Sequence, residues 1–336
     1  MERDRAAEYR VPARVRTPGP AARPSPETHP MRRSILTAAF GLVVLAAAQL
    51  PNLCAQDKAK DKAKAFDAML AKVEKALPAA APAKPKQARN ILVFSRTAGF
   101  RHSSIPIGVR AVTLMGDKTN AYTVTATEDE SMLEPAKLAK FDAVFMLNTT
   151  GNCFRPKTGS KAEQDAREEE LKKSLADFVS GGKGLIGIHS ATDTYAGWKE
   201  YNAMMGGAFV SHPWTKKVPV KNLDPKNPVS AAFGGNDFEI DDEIYMFRDD
   251  TARPTERKFL LALDTEKMDK KDVAMGKRKD NTYPVSWIGT FGKGRTFYCS
   301  LGHREEIFWN PDVLKHYLAG IQYALGDLEA DATPAK

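Results

Sequence analysis

The sequence predicts an α/β protein, a doubly wound and mainly parallel sheet with helices on both faces, and three observations carry that expectation. Short apolar runs alternate with amphipathic segments from residue 90 to residue 188, the pattern of parallel strands joined by helical crossovers. The turn Gly181-Gly182-Lys183-Gly184 then feeds an apolar run, Leu185 to Ile188, that stops abruptly at His189-Ser190-Ala191-Thr192-Asp193-Thr194. Such a run reads as a buried strand whose carboxyl end delivers polar side chains to the sheet edge where ligands sit. The sharp exit from such a strand is where many α/β enzymes carry a nucleophile. Here the position holds a histidine, so its chemistry is that of a metal ligand or a general base.

Element by element, Asn90 to Ser95 is the first strand, and the loop Arg96 to Ser104 leads to a helix from Ile105 to Met115 that Ser103 or Ser104 can cap. Tyr122 to Ala126 is a second strand, Pro135 to Lys140 part of a second helix, and Phe141 to Leu147 a third strand ending in the polar loop 148–152. Glu163 to Ser180 places Leu171, Leu175, Phe178 and Val179 at helical spacing and leads into the strand before His189. Beyond it the pattern is less regular. Tyr201 to Phe209 reads as a short helix, Lys217 to Val220 as a strand, and Pro284 to Ile288 with Arg295 to Ser300 as a pair around Gly292-Lys293-Gly294. Asn310 to Leu325 is a closing helix with Pro311 in its first turn. No second composition break appears, so one domain is expected over 89–328, with a disordered tail over 329–336.

The chain has 336 residues and a formal charge of +8, yet much of the excess lies in residues 1–33 and in the Lys/Ala/Pro-rich stretch 57–89. The domain itself shows no basic stripe with interleaved aromatics, so no nucleic-acid partner is expected. Residues 1–30 read as a disordered or mis-called extension. Met31-Arg32-Arg33, the apolar run Ile35 to Ala48 and the small Ala55 read as a secretory signal peptide over 31–55. A lipidated Cys54 is the alternative. The expected location is periplasmic or extracellular, with no membrane insertion after cleavage, because the run is short for a span. Residues 56–88 read as an amphipathic helix, Asp57 to Leu77, followed by a Pro/Ala linker. Cys153 and Cys299 are expected as buried free thiols, although a disulfide stays open.

Candidate chemistry gathers in histidines at loop edges. His102 follows the first strand, His189 the fourth and His303 the last, and this topology brings the first and fourth strand ends to one rim; His212 is a further candidate. These four are the candidate metal ligands, for a divalent ion such as zinc. The bland reading, hydrogen-bonded loop histidines, competes with this, because no short H-E-x-x-H spacing is present. His316 lies mid-helix and reads as structural. Asp193, four residues past His189, is a candidate proton-handling group, with helix capping an equal alternative, and Glu243, in the acidic run Asp241-Asp242-Glu243, is a candidate general base or further metal ligand, with a solvated turn the commoner reading of such runs. Phe100, Arg101, Trp198, Tyr201 and Trp214 flank these positions as candidate substrate contacts, against core packing as the commoner fate of aromatics.

Six segments taken together resemble the ThuA-like (trehalose utilisation) family: Arg96 to Ile105 with His102, Gly187 to Thr194 with His189 and Asp193, Trp198 with Tyr201, Gly206 to Pro213 with His212, Asp242 to Tyr245 with Glu243, and Gly294 to His303. The resemblance covers nearly all of 89–328. It implies the flavodoxin-like α/β sandwich of class I glutamine amidotransferases. In those relatives the elbow carries a cysteine, so His189 argues against glutamine hydrolysis through a thiolate. The resemblance further implies carbohydrate metabolism, with trehalose, sucrose or their 3-keto derivatives as the substrate class. The expectation is therefore an exported, metal-assisted, hydrolase-type carbohydrate enzyme. A non-catalytic sugar-binding module and a scaffold acting through the segment before residue 89 are the alternatives, and a homo-oligomer stays open.

Overall fold

The structure, a computed structural model, describes residues 44–335, with side chains from residue 60 onward. The expected extension over 1–30 and the first part of the expected leader, 31–43, lie outside the described residues. Among the described residues no helix is long and apolar enough to cross a membrane. Helix α1 (Val44–Ala76) starts well before the expected Asp57.

From Lys58 on, the chain forms one compact unit. It is built on strands β1 (Asn90–Phe94), β2 (Thr123–Thr127), β3 (Ala143–Leu147), β4 (Gly184–Ile188), β5 (Phe209–Asn222), β6 (Phe238–Phe247), β7 (Lys258–Leu263), β8 (Pro284–Phe291) and β9 (Gly294–Cys299). Between them lie helices α2 (Ile105–Thr119), α3 (Pro135–Leu138), α4 (Lys161–Ser180), α5 (Lys199–Met205) and α6 (Lys270–Val273), and α7 (Pro311–Ala324) closes the chain. The strands form one sheet in the order β2-β1-β3-β4-β9-β8-β7-β5-β6.

The α/β class is as expected, but the sheet is mixed. β2, β1, β3, β4 and β9 run parallel, while β9 to β8, β8 to β7, β7 to β5 and β5 to β6 are antiparallel. The reason is local: parallel neighbours need a helical crossover, and between β5 and β9 the chain has loops whose only helical pieces are the 3-10 turn Ala231–Phe233 and the four-residue α6.

Two-residue alternation divides the strands between two cores. Ile91 and Val93 of β1, with Ala143, Phe145 and Leu147 of β3, face Ala111 and Met115 of α2 and Leu314, Leu318 and Ile321 of α7. Leu92 and Phe94, with Val144 and Met146, face Leu171, Leu175 and Val179 of α4 and Met204 of α5. Each large apolar side chain buried this way contributes about 1.5–3 kcal/mol. Helices on both faces bring the ends of β1, β3, β4 and β9 to one rim.

Several local expectations are corrected. The helix read over Tyr201 to Phe209 is α5, Lys199–Met205, because Gly206 takes a left-handed cap (φ 86°) and ends it. The strand read over 217–220 runs from Phe209 to Asn222; Pro213, Pro219 and a bulge mask its alternation. The acidic run 241–243 is the middle of β6, where two carboxylates are buried with partners rather than solvated. β7, with its apolar run Phe259 to Leu263, and the short α6 are elements not among those expected. Segment 78–88 does not hang free: the Gln322 side chain donates to the Ala83 carbonyl (2.6 Å) and accepts from its N–H (2.9 Å), and Lys86 N–H donates to Asp327 (2.9 Å). At the other end, the Asn227 side chain donates to the Asp331 carbonyl (3.0 Å).

Candidate metal centre

The site starts at the end of β4. His189 adopts φ 50°, the left-handed region that costs a non-glycine residue about 1–3 kcal/mol, as at a nucleophile elbow. Its surroundings hold it there. The Tyr298 hydroxyl donates to the His189 carbonyl (2.7 Å), and Gly187 leaves room for the Met205 sulfur where a Cβ would stand. His189 Nδ1–H donates to the Ser300 carbonyl (2.8 Å), so Nε2 keeps its lone pair and points out of the elbow. Tyr245 covers the ring, centroids 4.3 Å apart. Burial, reinforced by the charge of His102, keeps His189 well below the ordinary histidine range and therefore neutral.

His102 and His303 meet it from neighbouring loops. His102 Nε2 lies 3.2 Å from His189 Nε2, and the three rings pack edge to face with centroids 4.7–5.4 Å apart. Burial first, then the charge of His303, lowers His102 to about 4. The loop carrying His303 is fixed by Asp242, whose buried carboxylate accepts from the N–H groups of Gly302 (2.6 Å) and Arg304 (2.8 Å). Burial pushes Asp242 up to about 6 against the pull of those N–H groups. The Gly302 carbonyl accepts from Ser104 Oγ (2.8 Å) and Asn148 Nδ2 (2.9 Å), which ties the loops after β1, β3 and β9 at one atom. Ser104 does stand at the N-terminus of α2, but its hydroxyl serves this tie and not the helix end.

Glu243 completes the group from β6. Its Oε1 lies 3.3 Å from His303 Nδ1 and 3.6 Å from His189 Nε2. Burial alone would raise this carboxyl, but the close contact with His303 and the neighbouring histidines outweigh it and hold it below its ordinary value. The same contact raises His303, against its own burial. One ligand atom from each of His102, His189, Glu243 and His303 lies within 4.8 Å of the others, so the four could hold a metal ion. Two details fit a cation. Two imidazole nitrogens face each other at 3.2 Å, and His303 Nδ1 is buried without a well-formed hydrogen bond despite the nearby carboxylate. Three nitrogens and one carboxylate oxygen are donors that suit zinc and its first-row neighbours.

Of the other expected site residues, some reach this rim and some do not. Phe100, 66% exposed, stands edge-on to His102 at 4.8 Å. Asp193 ends the turn after His189, half-buried, and burial raises its carboxyl; it is not among the four donors. His212, expected as a metal ligand, is not among them either: its Nδ1 lies 3.3 Å from the other Glu243 oxygen, Oε2. Arg101 turns to an exposed ion pair with Glu128. Trp214 is fully buried, donates to the Asp272 carbonyl (2.9 Å) and packs on Tyr283, so it is core and not a substrate contact. Tyr201 is likewise buried, its hydroxyl donating to the Ala191 carbonyl (2.8 Å), and Trp198 stacks on it; both brace the elbow from beneath. Cys153 and Cys299 are free and buried. The sequence reading missed Ser300, Asn148, Ser104 and Asp242, of which only Asp242 stood in a noticeable run. A cavity of about 400 Å³ bounded by Arg89, Asn120 and Tyr122 lies at the opposite ends of β1 and β2, away from this chemistry.

Comparison with known proteins agrees with this architecture. No curated protein matches the chain. Among solved structures, a ThuA-like protein from Bacteroides uniformis superposes with a TM-score of 0.54 at 19% identity, over 72% of this chain and 94% of that one. A ThuA-like protein from Parabacteroides merdae superposes with a TM-score of 0.52 at 14% identity, over 74% and 98%. At these identities the likeness concerns the fold alone. The family model described as "ThuA: Trehalose utilisation" matches residues 90–324, and the chain belongs to the ThuA family.

Proposed function

We propose that this protein is an exported carbohydrate enzyme of trehalose utilisation that acts on a disaccharide or its 3-keto derivative with the help of a divalent metal ion, zinc being the first candidate. The observation that supports it most is the convergence of His102, His189, His303 and Glu243, with His189 Nδ1 committed to the Ser300 carbonyl so that Nε2 is left for a ligand. A bound divalent ion would supply Lewis acidity toward a carbonyl or hydroxyl oxygen of the sugar. The protein's own share is orientation and proton handling. Low basicity keeps His102 and His189 neutral, as ligands must be. The half-buried Asp193 carboxyl, raised by burial, is suited to hold and return a proton at the rim. Phe100 offers an exposed apolar ring for a pyranose face.

The test is metal analysis of the purified protein together with turnover of 3-keto-trehalose and 3-keto-sucrose. About one divalent ion per chain is expected, lost with turnover in His189→Ala. A metal-free wild type whose behaviour is unchanged in His189→Ala would refute the reading. Specific glycan binding without turnover would replace it with a sugar-binding module.

A further inference from the structure

The register of the β5–β6 hairpin gives His212 an unexpected place. Trp214 pairs opposite Ile244, Thr215 opposite Glu243 and Lys216 opposite Asp242. Trp214 points into the core, so strict alternation would send His212, two residues earlier, to the same inward face. Between Ser211, opposite Met246, and Trp214, opposite Ile244, β5 carries one residue more than β6. This bulge reverses the phase, the means by which strands re-aim a side chain. His212 emerges beside Glu243, its side chain 52% exposed and its ring parallel to Phe209 (12° between planes, centroids 6.0 Å apart).

There the two Glu243 oxygens have separate neighbours. Oε1 faces His303 and His189, whereas Oε2 lies 3.3 Å from His212 Nδ1 and accepts from Thr215 Oγ1 at 3.4 Å. A glutamate carboxylate otherwise turns freely about its last torsion, which is broad and two-fold. We propose that His212 is a positioning residue that, with Thr215, fixes the Glu243 carboxylate so that Oε1 alone faces the three imidazoles, and that the β5 bulge is the device that brings it there. The inference rests on the metal reading of the site. Partners behind a metal-binding carboxylate typically contribute 10- to 100-fold in affinity, and the half-exposed His212, where water competes, belongs near the lower end, about 10-fold.

Calorimetric titration of the metal-stripped protein with zinc chloride tests this, in the wild type, His212→Ala, His212→Asn and Thr215→Val, with urea midpoints of the metal-free forms alongside. The expected result is a zinc affinity about 10-fold weaker in His212→Ala, largely restored in His212→Asn, whose amide can offer a donor to Oε2 from the place of Nδ1. A smaller loss is expected in Thr215→Val, and unchanged urea midpoints throughout. Thr215→Val probes the same oxygen independently should His212→Ala fold poorly. Wild-type affinity in His212→Ala, or the same affinity in Thr215→Val as in the wild type, overturns the proposal. If His212→Asn binds as weakly as His212→Ala, His212 is itself a ligand and the positioning role is wrong. If the wild type takes up no zinc, the metal reading falls first and this inference with it.

Discussion

Replacing His316 with glutamine should flatten the acid dependence of stability by an amount the structure fixes. His316 is fully buried in α7, with Nδ1 2.7 Å from the Val229 carbonyl and Nε2 2.9 Å from Ser286 Oγ. The neutral ring satisfies both contacts when Nδ1–H donates to Val229 and the Ser286 hydroxyl donates to Nε2. Burial, only partly offset by the Val229 carbonyl, lowers His316 from 6.5 to about 4. Between these values the unfolded chain binds the proton that the folded chain refuses, so stability is present above about pH 6.5 and is lost as pH falls toward about 4. Integrating that linkage from about pH 7 to about pH 5 gives a loss of about 2 kcal/mol attributable to this one ring. Urea denaturation at both pH values, with chelator present, should show the wild type losing about 2 kcal/mol more than His316→Gln, whatever the variant's stability at neutral pH. The other buried histidines titrate in both chains and cancel in the difference. Equal losses would refute the reasoning. The cause would then be in the network, because Ser286 Oγ also lies 2.8 Å from the Tyr298 carbonyl and could turn its proton there while accepting from a charged ring.

Three further outcomes follow from the site and the core. Gly302→Ala forces a side chain onto φ 139° with its Cβ 2.7 Å from Ile188 Cγ2 and 3.2 Å from His189 Cβ. It should cost about 2–4 kcal/mol in urea denaturation and weaken zinc binding together. Asp242→Asn removes the charge that the Gly302 and Arg304 N–H groups address, and a loss of about 1–3 kcal/mol with weakened zinc binding is expected, read by the same two assays. Trp214→Phe loses the bond to the Asp272 carbonyl and should cost about 1–2 kcal/mol while leaving zinc affinity at the wild-type value in calorimetry; a selective loss of ligand binding would restore Trp214 to the site.

The parallel half of the fold was legible because its strands are short, all but the edge strand β2 are apolar, and each is followed by a turn or a helix. From it follows the convergence of His102 and His189, both at the ends of parallel strands two apart in the sheet. His303 was legible for the same reason, being just past β9. Of the antiparallel half only the β8–β9 pair around Gly292-Lys293-Gly294 was legible, since elsewhere the signal is spoiled where it serves the site. β6 carries Asp242 and Glu243 where an apolar strand pattern was sought, and the β5 bulge breaks the alternation that would have revealed a 14-residue strand. Sequence alone could not tell Glu243 the donor from His212 its neighbour, because that depends on which face a one-residue insertion selects. Trp214 and Tyr201 show the opposite error: proximity in the chain to His212 and His189 suggested contact with substrate, when their hydroxyl and indole N–H are spent on backbone carbonyls inside the core.

The fastening of Ala83 and Lys86 to Gln322 and Asp327, strengthened by the paired contacts of Arg89 with Asp327, joins positions nearly the whole domain apart in sequence. The segment leading into β1 and the segment leaving α7 thus share one latch, located at the end of the sheet remote from the histidines. Trimming the carboxyl terminus back past Asp327 would take away the anchor of Lys86 and Arg89 and leave only the Ala83 pair with Gln322, so a cut at one end weakens the hold on the other.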